Sequence, residues 1–346
     1  MNYKIFVSYF SAILFALILL VFPYVFFTEE IQDQKDTIRV LTYSSFIQEW
    51  GAGPKIAALF EEETGCKVQW INAGNAGLII ERLKFKRETD KPDVVFGLDQ
   101  FSIFEANKLF KWKELSYLTD KVQNSILPSG ARFNNFLAYD WGPLTFVYKK
   151  NQVTPPKNLT ELIKPEFANS IILQDPRMSS PGLQFFLWIL NDMGEKKGFE
   201  YLKQLKQSIK IMSPSWSSSY SVFKMEESAM VFSYFTSPFY HLVEENDANF
   251  KAIELENPHP IQVEYMGIPE FCNQCEVAEK FANFIVKPEI QKILMEKNYM
   301  FPVAGKALEG SSIVLPKNVK YYKPIENISL IQRKRELINK WKKVFY

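Results

Sequence analysis

Four stretches of the chain concentrate side chains able to hold a polar or charged small molecule. They are Thr42-Tyr43-Ser44-Ser45-Phe46 with Trp50-Gly51-Ala52-Gly53-Pro54; Gly97-Leu98-Asp99-Gln100; Asp175-Pro176-Arg177-Met178-Ser179-Ser180-Pro181-Gly182; and Trp216-Ser217-Ser218-Ser219-Tyr220 with Ser233-Tyr234-Phe235-Thr236-Ser237-Pro238. Asp99 follows the apolar run Val94-Val95-Phe96, so its carboxylate should emerge at the carboxyl end of a strand. About 4 Å from a cation, at an effective dielectric near 20, its attraction is of order 4 kcal/mol before desolvation. The same position suits a cap on a helix beginning near Gln100. Ser179, Ser180 and the N–H groups around Gly182 stand at an expected helix N-terminus, which suits an anion, and Arg177 could add a forked contact to phosphate. An ordinary serine cap with Pro181 in the first turn accounts for these residues equally well. Trp50, Trp216, Tyr220 and Tyr234 fall in turns rather than on periodic faces. Rings of this kind contribute about 0.5–2 kcal/mol to an organic cation and roughly 1–3 kcal/mol to a stacked heteroaromatic ring. Alternatively they pack loops onto the core.

Groups for covalent chemistry are missing. No Gly-x-Ser-x-Gly elbow or glycine-rich phosphate loop occurs, and Tyr220, Ser233 and His241 form no nucleophile arrangement. No enzyme activity or cofactor is therefore expected. The two histidines, His241 and His259, have no ligand at helical spacing, so no metal is expected. Cys272-Asn-Gln-Cys275 permits a local disulfide or two free thiols, and Cys66 stands alone. With 41 Lys and Arg against 39 Asp and Glu, the formal charge of +2 excludes the basic face that nucleic acid needs.

Elements that could position these residues alternate along the chain. Ile38–Tyr43, Val68–Ile71 and Asp93–Leu98 read as strands, separated by helices over Pro54–Glu63 and Leu78–Lys86. That order implies a parallel sheet covered by helices. Leu144–Tyr148, Ile171–Leu173, Ile209–Met212 and Met230–Tyr234 continue as strands, with helices over Gly182–Leu190 and Phe199–Leu205. A strand over Ile261–Tyr265 should return toward the first lobe, followed by helices Glu276–Val286 and Pro288–Lys297 and a closing amphipathic helix, Ser329–Val344. The expected fold is α/β and two-lobed: 37–142 with 260–315 as one lobe, 143–259 as the other, and 316–346 as a helical tail. The 346 residues, 47% hydrophobic, suffice for two such cores. Ligands of open α/β sheets bind at the carboxyl ends of strands, where the four stretches fall.

Residues 1–30 contain Lys4 and then an apolar run from Ile5 to Phe27, ended by Glu29 and Glu30. The run is long enough to span a bilayer, lacks a small-residue cleavage pattern and has no lipoprotein cysteine. It reads as an export signal, retained as an inner-membrane anchor if it is not cleaved.

The ordered segments TYSSF…WGAGP, VVFGLD, AYDWGPLTFVYKK, LQDPRMSSPGLQFFLW, SWSSSY…SYFTSPFYH and YMFPVA resemble the thiamine-binding branch of the periplasmic solute-binding proteins of ABC importers. The resemblance spans about Ile38 to Val303. It implies a type II periplasmic-binding-protein fold that acts as a monomer and closes on thiamine or its phosphate esters without chemistry. It also implies a membrane permease and its ATPase as partners, and a periplasmic or extracytoplasmic location. Carried over, it places Tyr43, Trp50, Trp216, Tyr220 and Tyr234 around the ligand rings, with Asp99 answering the amino group or positive charge. Ser179, Ser180 and Gly182 would face the phosphate or hydroxyethyl end. Tyr299 stands where the family can carry Trp, and Ser44 where it often carries an acid. Ferric-iron and polyamine receptors share the fold. Here Tyr234 is followed by Phe235, which breaks a tandem tyrosine pair, and polyamines would call for more cleft acids than Asp99.

Overall fold

Alternating apolar and β-branched side chains make Thr37–Thr42 a strand, β1, whose inward residues Ile38 and Val40 are fully buried. The computed structural model describes residues 37–85, 91–122, 125–225, 228–314, 316, 318–325 and 327–346. The apolar run Ile5–Phe27 lies outside them. Among the described residues no helix is long and apolar enough to cross a membrane.

Leaving single-turn and 3-10 helices aside, β1 is followed by α1 (Gly53–Thr64), β2 (Lys67–Asn72), α2 (Ile79–Lys84), β3 (Val94–Asp99), α3 (Ser102–Leu109) and α4 (Ser116–Lys121). The chain continues through β4 (Leu137–Lys149), β5 (Ile171–Gln174), α5 (Ser180–Met193), α6 (Glu195–Leu205), β6 (Ile209–Ser213), α7 (Trp216–Lys224), β7 (Met230–Tyr234), α8 (Ser237–Glu244) and β8 (Phe250–Ala252). It ends with β9 (Ile261–Gly267), α9 (Cys275–Ile285), α10 (Pro288–Asn298), β10 (Phe301–Pro302) and α11 (Lys334–Phe345).

The sheet runs β2-β1-β3-β9-β4-β7-β5-β6, with β10 and β8 added against β4. Its outer strands are parallel, as the strand–helix alternation implied, but β3–β9, β9–β4 and β4–β7 are antiparallel. A wholly parallel sheet is therefore corrected to a mixed one. Strand β4 is longer than the expected Leu144–Tyr148: its first half pairs with β9 and Leu144–Tyr148 pairs with β7. Pro143 sits where pairing passes from one neighbour to the other, and the ladder is carried by the Leu144 N–H donating to the Pro260 carbonyl. One strand thus joins two cores. Val40, Phe60, Phe96 and Phe281 belong to the first, and Phe146, Leu173, Phe185 and Phe232 to the second.

Three other differences have local causes. Trp216–Tyr220, expected in a turn, opens α7, because Ser215 and Ser218 form a reciprocal capping box. Pro238 in the first turn starts α8, a helix beyond those expected from periodicity. The closing helix breaks at Arg333, so Ile328–Gln332 and α11 are separate. Cys272 and Cys275 are joined as a disulfide at the start of α9, and Cys66 is free. Asp93, buried beside them, accepts the N–H groups of Arg39, Asn273 and Gln274 and so ties α9 to β1.

Leu337 and Trp341 of α11 are buried in the second core, and Trp341 stacks on Phe345 at 4.7 Å. Trp341→Ala should lower the unfolding free energy by about 3–5 kcal/mol, the cost of emptying a large aromatic site. Chemical denaturation measures this; a loss near zero would make α11 an appendage.

Candidate functional site

Two β-bulges build the floor of the cleft. On β3 the register slips at Gly97, whose φ is +97°, and a Cβ there would lie 2.4 Å from the Tyr43 ring. Only glycine permits that approach. On β4 the register slips at Tyr139. Strand β9 lies between them, and the two slips bring both phenols to Glu264. Tyr43 donates to Glu264 Oε2 at 2.9 Å and Tyr139 at 2.6 Å, while Gln262 Nε2 donates to Oε1 at 3.1 Å. Glu264 is 6% exposed and lines the cleft. Burial raises its carboxyl above the usual carboxylate range, against the pull of its phenol donors. Asp140, directly opposite on β4, is fully buried and raised well above the usual range by burial and then by Glu264. Its Oδ2 accepts from Asn298 at 2.9 Å, while its Oδ1 has no partner.

One wall is aromatic. Trp216 and Tyr220, one helical turn apart on α7, stack at 5.2 Å and 24°, and Tyr234 at the end of β7 stands 6.2 Å from Trp216. Trp216 Nε1 donates to Ser233 Oγ at 2.8 Å, which fixes the indole while leaving its half-buried face to the cleft. The Tyr220 hydroxyl lies 3.0 Å from His241 Nε2, and the other His241 nitrogen lies 2.6 Å from Glu245. Burial lowers the His241 pKa, and Glu245 partly opposes the shift, so the ring is neutral near neutral pH. At the mouth, Tyr299 donates to Glu244 at 2.8 Å, and Trp50 is 55% exposed. Asn75 Nδ2 reaches across the cleft to the Pro214 carbonyl at 3.0 Å.

The enclosed space is about 460 Å³, within the range of small-ligand sites. Tyr43, Ser44, Trp50, Ser179, Ser180, Trp216, Tyr220, Tyr234 and Tyr299 all line it. Ser44 Oγ bonds Asn72 Oδ1 at 2.9 Å, and the N-termini of α5 and α7 open onto the cleft through Ser179 and Ser180 and through Ser215 and Trp216.

Three expected residues stand elsewhere. Asp99 caps α3, its Oδ1 accepting from the N–H groups of Phe101 and Ser102 at 3.0 and 2.6 Å. Arg177 is turned away, its Nε 2.9 Å from both Asp175 oxygens, its Nη2 2.8 Å from the Tyr346 hydroxyl and its guanidinium over the Trp341 ring. Gly182 serves packing: a Cβ would lie 2.5 Å from the Gln174 carbonyl, so α5 could not seat against β5.

The sequence reading missed Glu264, Gln262 and Asn298. A signal existed for the first two: Gln262 and Glu264 alternate on one face of an otherwise apolar strand, where buried polar side chains are uncommon.

Comparison with known proteins agrees with this architecture. The family described as bacterial extracellular solute-binding protein matches residues 89–323. A thiamine-binding periplasmic protein of Brucella suis biovar 1 (strain 1330) is 33% identical over 312 residues, 89% of this chain and 91% of its own. One from Escherichia coli (strain K12) is 31% identical over 312 residues, 89% of this chain and 93% of its own. A solved periplasmic thiamin binding protein superposes with a TM-score of 0.81 at 30% identity, over 90% of this chain and 96% of that one.

Asp99→Ala should cost about 1–2 kcal/mol of stability through the lost cap of α3. Urea denaturation checks it, and unchanged stability would mean that the carboxylate is free for another role.

Proposed function

We propose, for a chain that belongs to the family of bacterial extracellular solute-binding proteins, that the cleft binds thiamine or its phosphate esters and that the protein delivers them to the permease and ATPase of an ABC importer. The observation that carries this reading is the pairing of an aromatic wall with a buried carboxylate across a space of ligand size. Thiamine joins a flat aminopyrimidine to a cationic thiazolium. Trp216, Tyr220 and Tyr234 offer ring faces to both, and Glu264 offers the opposite charge. The N-termini of α5 and α7 suit the hydroxyethyl or phosphate end, where N–H groups and helix dipoles favour an acceptor or an anion. Thiamine-binding relatives that match almost the whole chain support the same ligand.

The work of such a protein is capture and release. Trp216 is fixed from behind by Ser233, which itself contacts Ser237 at 2.7 Å, so ligand stacking orders little further side chain. The named relatives are periplasmic, which supports an extracytoplasmic site of action, with the segment Ile5–Phe27 as the export signal and, if it is not cleaved, as a tether.

Calorimetric titration of residues 33–346 with thiamine, thiamine monophosphate, thiamine diphosphate, spermidine and ferric iron tests this. Thiamine or an ester should bind and the last two should not; silence with thiamine and all its esters would overturn the reading. Trp216→Ala should weaken binding more than about tenfold, which corresponds to about 1.4 kcal/mol. Wild-type affinity in that variant would make Trp216 a packing residue.

A further inference from the structure

Asp99 on β3, Glu264 on β9 and Asp140 on β4 stand directly opposite one another, forming an acidic rung across the sheet. Directly opposed residues have Cβ atoms about 4.5–5.5 Å apart. Among the described residues no Lys or Arg forms an ion pair with any of the three. The two lysines in the cleft wall are engaged elsewhere: Lys224 lies 2.6 Å from Glu245, and Lys297 lies 4.0 Å from Glu244. Asp99 is satisfied by the N–H groups of α3, which leaves Glu264 and Asp140 facing one another. Independently of these charges, Gln262 is 1% exposed and lines the cleft, yet its Oε1 accepts no hydrogen bond. An unfilled acceptor beside an uncompensated acid calls for a ligand that brings positive charge and N–H donors. The three carboxylates do not form a metal-binding group.

We propose that Glu264 and Asp140 form a carboxyl pair that shares one proton while the cleft is empty, and that a cationic ligand docking on Glu264 expels this proton to solvent. The proposal rests on the thiamine reading and adds a proton to its binding equilibrium. Two adjacent buried carboxylates cannot both ionise without a counter-charge, and the ligand's cation is that counter-charge. The groups facing the pair are Tyr43 from the turn after β1, Tyr139 from β4, Asp99 from β3, Tyr234 from β7, Gln262 from β9 and Asn298 from the end of α10. All of these are acids, phenols or amides. Because the empty pair titrates above the usual carboxylate range, the sign is definite. As pH falls through that titration a proton must leave before the cation enters, so affinity falls by up to about tenfold per pH unit. Above it the dependence flattens.

Titration calorimetry with thiamine at a series of pH values, each in two buffers of different ionisation enthalpy, should report proton release that rises toward about one per thiamine bound as pH falls through the pair's titration. In Asp140→Asn the release should fall to near zero, and Glu264→Gln should weaken thiamine at least about tenfold. Thiamine binding with a buffer-independent enthalpy at every pH overturns the shared proton and leaves the thiamine reading intact. No binding in either buffer overturns the thiamine reading and the coupling with it. Infrared difference spectra of the empty protein, wild type against Asp140→Asn, read the proton without a ligand. A carboxylic-acid carbonyl band lost on substitution is expected, and absence of that band overturns the proposal whatever binds.

Discussion

The cleft is organised by uncompensated negative charge held away from water. Glu264 and Asp140 face one another on adjacent strands, supported only by phenols and amides. Burying such a pair is costly, and a fold tolerates it only where a proton or a cation offsets the charge. The bulges at Gly97 and Tyr139 fit this demand: Gly97 leaves room for the Tyr43 ring, the register slips at Tyr139, and both phenols donate to Glu264. Strand β4, which carries Asp140, also runs between the two cores, and β9, which carries Glu264, pairs with its first half. Charge at the floor and the geometry of the lobes are therefore set by the same pieces of backbone.

The remaining walls divide the cleft chemically. Trp216, Tyr220 and Tyr234 present ring faces, and the serine-capped ends of α5 and α7 present N–H groups and hydroxyls. A ligand that is aromatic and cationic at one end and carries a hydroxyl or phosphate at the other matches this division. Two exposed hydrogen bonds cross between the rims, Asn75 to Pro214 on one side and Tyr299 to Glu244 on the other. Each is exposed enough for water to replace it.

Much of this was legible in the sequence. Apolar runs broken at regular intervals gave away the α/β order, and post-strand clusters of Trp, Tyr and Ser pointed to eight residues of the cleft wall, with Tyr299 added by the family resemblance. What misled was ambiguity between a cap and a ligand contact. Asp99 and Arg177 carry the right charge at the right distance along the chain, yet the N–H groups of α3 take the first and Asp175 with Tyr346 takes the second. Glu264 was overlooked for the opposite reason. It lies inside a strand rather than after one, and its importance comes from Asp140, more than a hundred residues away, through a strand register that no local pattern encodes. The length of β4 was hidden in the same way, because Gly142-Pro143 resembles a break until the change of pairing partner is known.

The division of the cleft calls for an aromatic cation between the Trp216 wall and the Glu264 floor. A crystal structure of residues 33–346 with thiamine tests it most directly. The account predicts a ring stacked on Trp216 and the thiazolium within about 4 Å of the Glu264 carboxylate, where attraction at an effective dielectric near 20 is of order 4 kcal/mol. Thiamine lying outside the cleft, or reversed with its cationic ring at the N-termini of α5 and α7, would contradict it.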